Sequence, residues 1–131
     1  MPILNSVVIC QRASRPKDGK AYFSDPLQDH LTVISLPHML PNLFVGISIL
    51  VEGRQGLQRY GVKLISPSGK VIKDGESAFI NPDAWNGDLF TDVLPLFPTT
   101  FSEFGEHRFE IFINGEHVHT IPLLIVLKET K

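Results

Sequence analysis

Cysteine, tryptophan and excess charge are all scarce in this sequence of 131 residues. Its one cysteine, Cys10, excludes an intrachain disulfide, so a hydrophobic core must provide the stability. The formal net charge of −2 leaves no basic surplus for binding the phosphate backbone of nucleic acids. No nucleic-acid partner is therefore expected.

Long apolar runs are also missing, and no secretory leader is expected. No uninterrupted apolar stretch approaches the ~18 residues that a membrane-spanning helix requires. The opening residues, MPILNSVVIC, have no basic segment before their apolar residues and no small-residue cleavage site. We therefore expect a cytoplasmic protein with no membrane partner.

Ten prolines and ten glycines are spread along the chain, a distribution that disfavours long helices. Turn-forming Xaa-Gly pairs separate short apolar runs, a pattern typical of a sandwich or barrel. The five pairs are Asp18-Gly19, Ser68-Gly69, Asp74-Gly75, Asn86-Gly87 and Asn114-Gly115. The sequence therefore predicts one all-β domain over residues 1–131, an antiparallel β-sandwich of about seven to nine strands.

The clearest local pattern is a hairpin near the end of the chain. Asn114-Gly115 is the preferred dipeptide of a two-residue hairpin turn, and residues 108–113 alternate between apolar and mostly polar side chains. The register expected from that turn pairs Ile113 with Glu116, Phe112 with His117, and Glu110 with His119.

That register places Glu110, His117 and His119 on one strand face. Two imidazoles and a carboxylate are ligands that zinc and non-haem iron accept, so one hypothesis is a divalent-metal site. The alternative is an ordinary hydrated or partner-covered face, which Phe112 beside His117 favours. No other cofactor is expected.

Two aromatic residues are predicted to contact a partner or ligand. Trp85 lies in the polar loop NPDAWNG at residues 81–87, where a tryptophan can anchor a protein or a sugar. The same side chain can instead fold back over the end of the sandwich. Phe112 is the second candidate. Cys10, between apolar neighbours, is predicted to be a core residue rather than a nucleophile.

The run IPLLIVL at residues 121–127 is apolar at every position. A sandwich strand normally buries one face, so either a loop or a second subunit is expected to cover the other. Pro122 within the run indicates a strand edge or a bulge, because proline cannot donate a ladder hydrogen bond.

The segment Gly105-Glu106-His107-Arg108-Phe109 and the turn that follows it resemble the last hairpin of immunoglobulin-like sandwiches. In those folds a tyrosine near the start of the penultimate strand bonds back to the backbone. His107 stands at that position in this chain.

The chain as a whole also resembles an uncharacterised family of small bacterial β-sandwich proteins, a domain of unknown function. The shared features are the Gly19-Lys20 turn, Pro41 before a strong strand at 43–51, and the spacing of Phe101, Gly105 and Phe109. The resemblance implies an immunoglobulin-like fold and supplies no catalytic residue.

These observations favour a non-enzymatic interaction or accessory module that acts through protein–protein contacts, as a homo-oligomer or with another protein. One alternative is a small-molecule or carbohydrate-binding module that uses the Trp85 loop. The other is a metal-dependent enzyme that uses Glu110, His117 and His119.

Overall fold

A computed structural model describes residues 3–14, 22–26, 30–50, 56–81, 89–96 and 98–128. Within these residues the protein is all-β and has eleven strands. They are β1 (Ile3–Ser14), β2 (Tyr22–Pro26), β3 (His30–Val33), β4 (His38–Leu40), β5 (Phe44–Leu50), β6 (Gly56–Ile65), β7 (Val71–Asn81), β8 (Leu89–Pro95), β9 (Thr99–Phe101), β10 (Gly105–Ile113) and β11 (Glu116–Leu127). The described ranges include no helix of the length and apolar character needed to cross a membrane.

Two larger sheets form the layers of the fold. Four strands in the order β2-β1-β5-β8 form the first sheet, and five in the order β3-β11-β10-β6-β7 form the second. The short strands β4 and β9 pair with each other, which explains why more strands occur than the expected seven to nine. The described strand pairs are antiparallel except β3 with β11.

Alternate residues of the two sheets meet between them and form the core. The first sheet contributes side chains of β5, and the second contributes side chains of β6 and β10. These residues, each exposed by no more than 1%, include Val45, Ile47, Ile49, Val62, Leu64, Phe109 and Ile111. Cys10 is also fully buried, as predicted. A hydrogen bond from the Tyr60 hydroxyl to the Asp92 carboxylate links the second sheet to the first.

Gly75 lies inside β7, and the turn predicted at Asp74-Gly75 is therefore wrong. A β-carbon built on Gly75 would lie 2.9 Å from Cδ2 of Leu96 and 3.2 Å from Cδ2 of Leu94. Glycine is needed here because these leucines, at the end of β8, occupy the space that a side chain would fill. The glycine thus marks a close approach between the sheets rather than a turn.

The last hairpin turns at Asn114-Gly115, as predicted, with φ angles of 51° and 81°. These left-handed values are those of a type I′ turn, which Asn-Gly adopts readily. Asn114 also ties the turn to β6. Its N–H donates to the Arg59 carbonyl at 2.8 Å, its side-chain oxygen accepts from the Arg59 N–H at 2.9 Å, and its side-chain amide donates to Gln58 at 2.8 Å.

The predicted hairpin register is correct at the turn and wrong beyond it. Ile113 pairs with Glu116 and Phe112 with His117, but Val118 then forms a β-bulge. Beyond the bulge His119 lies opposite Ile111, and Glu110 lies opposite Thr120 rather than His119. An extra residue in one strand shifts every later pairing by one position.

β3 accompanies only the last part of β11, from Leu124 to Leu127. In the described part of the chain, residues 116–122 of β11 therefore have β10 on one side and no strand on the other. Pro122 lies in this open stretch, in agreement with the edge expected from its residue type. The Val118 bulge and Pro122 both hinder the addition of a further strand.

Candidate functional site

The outer face of the five-stranded sheet carries the predicted site residues Glu110, Phe112 and His117, whereas His119 pairs with the buried Ile111 and therefore lies on the other side of β11. Glu110 and Phe112 project from this face of β10, because the alternate residues 109, 111 and 113 are buried in the core. Two rows of cross-strand neighbours run over the face from β7 to β11. One row is Glu76, Gly61, Phe112 and His117, and the other is Asp74, Lys63, Glu110 and Thr120.

A groove of about 680 Å³ lies over the first row. Its walls include Phe112 from β10, Arg59 and Lys63 from β6, and Asp74 and Glu76 from β7. We call it the Phe112 groove. Phe112, which the sequence predicts to contact a partner or ligand, is half-buried in its wall.

The groove is open because Gly61 has no side chain. Gly61 lies between Arg59 and Lys63 on β6, so a side chain at this position would project from the outer face. A β-carbon built there would already lie 3.2 Å from the Gly75 carbonyl oxygen and 3.8 Å from Cγ of Glu76. Any larger residue would therefore occupy the groove.

Lys63 contacts the Phe112 ring rather than a carboxylate. Its Nζ lies 5.1 Å from the ring centroid, a cation–π distance. Asp74 and Glu110 are its cross-strand neighbours, yet neither forms an ion pair with Lys63 in the described residues. The ammonium group therefore retains its capacity to donate hydrogen bonds.

The ion pair described within the groove joins Arg59 Nη1 and Glu76 Oε1 at 3.6 Å. Its side chains are 63% and 64% exposed, so water screens the attraction and the pair is weak. Asp74 is also exposed and has no ion-pair partner in the part of the chain that the structure describes. The groove thus presents positively and negatively charged side chains to solvent, and the ion pair between Arg59 and Glu76 is weak.

The predicted metal ligands Glu110, His117 and His119 depended on a regular hairpin. The Val118 bulge removes the pairing of Glu110 with His119. The register from which the metal site was predicted is therefore wrong. Nε2 of His117 also lies 2.8 Å from the Thr120 hydroxyl and 3.0 Å from the His119 carbonyl oxygen. Among the described residues, no group of three or more His, Cys, Asp or Glu side chains is placed to hold a metal ion.

Trp85 and residues 82–87 of its loop lie outside the described residues, and Asn81 is the last residue of β7. The prediction that Trp85 contacts a ligand or partner therefore stays a prediction.

The outer face of β11 carries a stripe of apolar residues, Pro122, Leu124 and Val126, which we call the Leu124 stripe. Pro122 is exposed, Leu124 is 42% exposed and Val126 is half-buried. The alternate residues Leu123 and Ile125 are each 1% exposed and belong to the core. Of the two apolar faces predicted for residues 121–127, one is therefore buried at Leu123 and Ile125, and the other faces solvent.

His107 stands where immunoglobulin-like folds have the tyrosine that bonds back to the backbone, and it is fully buried. Its Nδ1 lies 3.1 Å from the Gly105 carbonyl oxygen, which can only accept, so Nδ1 carries the proton. Nε2 has no hydrogen-bond partner among the described residues, and the ring meets Phe101 edge to face. Desolvation lowers the pKa of His107 below its usual value of 6.5. This arrangement keeps the imidazole neutral and makes it a structural residue.

Sequence comparisons identify the family of the chain. No match was found among curated proteins. The model of a family of unknown function, DUF6941, matches residues 5–126, from β1 almost to the end of β11. This confirms the expected membership of an uncharacterised family. The chain belongs to this family of unknown function, DUF6941.

Proposed function

We propose that this protein is a non-enzymatic interaction module that associates with a second copy of itself through the Leu124 stripe. The observation that supports the proposal most directly is a row of three apolar side chains on one strand face, of which Pro122 and Leu124 are exposed and Val126 is half-buried. Apolar groups that line up on a surface usually mark a contact, because burying them removes ordered water.

Charged residues beside the stripe favour a second copy as the partner. Glu106 lies opposite Leu124 and Arg108 opposite Pro122, and both are exposed on the outer face of β10. If two copies meet about a two-fold axis, Arg108 of one copy can lie near Glu106 of the other. The same surface is then complementary to itself, as a two-fold interface requires.

The contact is expected to be modest in strength. Full burial of a leucine side chain contributes roughly 1.5–3 kcal/mol, and only the exposed part of Leu124 is gained on association. Peripheral ion pairs between Arg108 and Glu106 add ~1 kcal/mol or less each, and they act mainly on specificity. The association should therefore depend on protein concentration and weaken at high salt.

Analytical ultracentrifugation over a range of concentrations tests the proposal. Leu124→Glu should shift the protein to monomer, because it places a charge in the apolar contact. The matched control is Met39→Glu, since Met39 is 52% exposed on the separate β4–β9 sheet. This control should leave the association unchanged.

A charge exchange tests the two-fold arrangement itself. Glu106→Arg and Arg108→Glu should each weaken association, and the double variant should restore it. A wild-type protein that stays monomeric at every concentration would count against self-association. Equal loss in the Leu124 and Met39 variants would count against the stripe.

The proposal includes an immunoglobulin-like fold in a reducing, cytoplasmic location. The order β11-β10-β6-β7 in one sheet and the adjacency of β5 and β8 in the other correspond to the arrangement of immunoglobulin sandwiches. The bond between the His107 ring and the backbone at Gly105 supports the same assignment. The single, buried Cys10 supports the reducing location.

A further inference from the structure

We propose that the Phe112 groove is a binding site for a neutral saccharide. This inference concerns a different part of the outer face from the Leu124 stripe, and it does not depend on self-association. The residues that would hold the sugar belong to β6, β7 and β10 rather than to the Trp85 loop.

The groove has the size of a small-molecule site. Its volume of about 680 Å³ lies within the range of roughly 300–1,000 Å³ that such sites occupy. A monosaccharide or disaccharide would lie over Gly61, where the absence of a side chain leaves the floor free.

The charges around the groove select a ligand without net charge. Arg59 and Lys63 contribute two positive charges, and Asp74 and Glu76 contribute two negative charges. An anionic ligand would meet the two carboxylates, and a cationic ligand would meet the ammonium and guanidinium groups. A saccharide hydroxyl can donate and accept, so neighbouring hydroxyls can bond to Asp74 and to Lys63 at the same time.

Phe112 provides the apolar surface that a sugar ring requires. A pyranose has a face of C–H groups, which packs on an aromatic ring while its hydroxyls point outward. Lys63 lies over the Phe112 ring in the structure and has no ion pair there to hold it. On binding, the sugar's C–H face takes the place of the ammonium, which moves aside to donate to a hydroxyl.

A peptide fits this position less well. The groove lies on the face of three strands whose backbone groups pair with one another, β7 with β6 and β6 with β10. An extended peptide binds well at a sheet edge because its backbone joins the ladder. On a sheet face its backbone groups would rely on side chains alone.

Amide NMR titrations of the full chain test the inference, with maltose, cellobiose, lactose and sucrose as neutral probes. Glucuronate and glucosamine serve as charged comparisons, and a capped tripeptide serves as the peptide probe. We expect saturable shifts of the Gly61, Lys63 and Phe112 amides with at least one neutral saccharide, and weaker binding of the charged sugars. Failure of all four neutral saccharides to saturate these shifts would overturn the inference, as would saturation by the peptide alone.

Variants of the groove identify the residues responsible. Phe112→Ala should weaken binding by roughly tenfold, since an aromatic contact contributes about 1.4 kcal/mol. The matched control is Phe104→Ala, because Phe104 is 45% exposed just before the opposite end of β10 and should not affect binding. Unchanged affinity in the Phe112 variant would place the sugar elsewhere and refute the assignment.

Gly61→Val fills the groove and should abolish binding while leaving the amide spectrum dispersed. If that variant does not fold, Lys63→Met provides the same test, because it keeps the side-chain length and removes the hydrogen-bond donor. Loss of binding with an unchanged sedimentation coefficient would separate this site from the Leu124 stripe.

Discussion

Replacing Gly75 by alanine tests how closely β7 packs against the first sheet. The new β-carbon would lie 2.9 Å from Cδ2 of Leu96 and 3.2 Å from Cδ2 of Leu94, closer than carbon atoms normally approach. Leu96 is 0% exposed and Leu94 is 7% exposed, so neither side chain has free space to enter. Overpacking of this kind costs ~1–3 kcal/mol of unfolding free energy.

An opposing effect must be subtracted from that cost. Alanine restricts the unfolded chain more than glycine does, which stabilises a protein by about 0.4–1 kcal/mol where the backbone permits it. Gly75 is not one of the described glycines with positive φ, so this gain applies. The steric term is larger, and we expect Gly75→Ala to lose ~1–2 kcal/mol in total.

Urea unfolding followed by circular dichroism measures the change, with Gly61→Ala as the matched control on the outer face. The control should lose less, because its β-carbon would make one close contact, at 3.2 Å to the Gly75 carbonyl oxygen, and its next contact lies at 3.8 Å. Leu96→Val removes Cδ2 of Leu96, the atom nearest to the new methyl group, while Leu94 remains. A double-mutant cycle of Gly75→Ala and Leu96→Val should therefore show a favourable coupling above ~0.5 kcal/mol. A Gly75→Ala protein as stable as the wild type would refute the close packing of β7 on Leu96.

Three further changes should alter stability in distinct ways. The pKa of His107 lies below 6.5, so the unfolded chain binds the proton more readily and stability should fall as pH drops from 6.5 toward the folded value. One such group changes the unfolding free energy by at most ~1.4 kcal/mol per pH unit. Urea unfolding at several pH values should therefore show a smaller pH dependence of the unfolding free energy for His107→Phe. Tyr60→Phe should cost ~1–3 kcal/mol, and a cycle with Asp92→Asn should show coupling, whereas additive losses would exclude an energetic link. Asn114→Ala should lower the urea midpoint more than Asn114→Gly, since glycine adopts a φ of 51° at less cost than alanine does; the reverse order would contradict the turn.

Features that depend on local chemistry could be predicted from the sequence. The Asn114-Gly115 turn and the first two pairings of the hairpin followed from the dipeptide alone. The apolar alternation of β10 identified which side chains enter the core, and it left Phe112 on the outside as a contact residue. Cys10, with apolar neighbours on both sides, was assigned correctly to the core.

Features set by distant pairing could not be predicted. The residue types around Val118, in the stretch HVHT, do not indicate a bulge. The cross-strand neighbour of Glu110 was therefore predicted wrongly. The parallel pairing of β3 with β11 joins segments that are distant in the sequence, and no local sequence pattern predicts it.

The Phe112 groove depends on the same kind of pairing, because the register of β6, β7 and β10 brings its residues together. Gly61 was the available clue. A glycine inside an otherwise regular strand marks a place where something approaches closely.

The open stretch of β11 at residues 116–122 has a consequence for how copies of this protein can meet. An exposed ladder invites strand-by-strand growth, which has no natural end point and leads to fibres. The kink at Val118 and the missing donor at Pro122 interrupt such growth after a few hydrogen bonds. At this edge, the self-association proposed above is therefore limited to side-chain contacts of the sheet face. A two-fold contact of that kind closes on itself, so we expect small assemblies of fixed size rather than fibres.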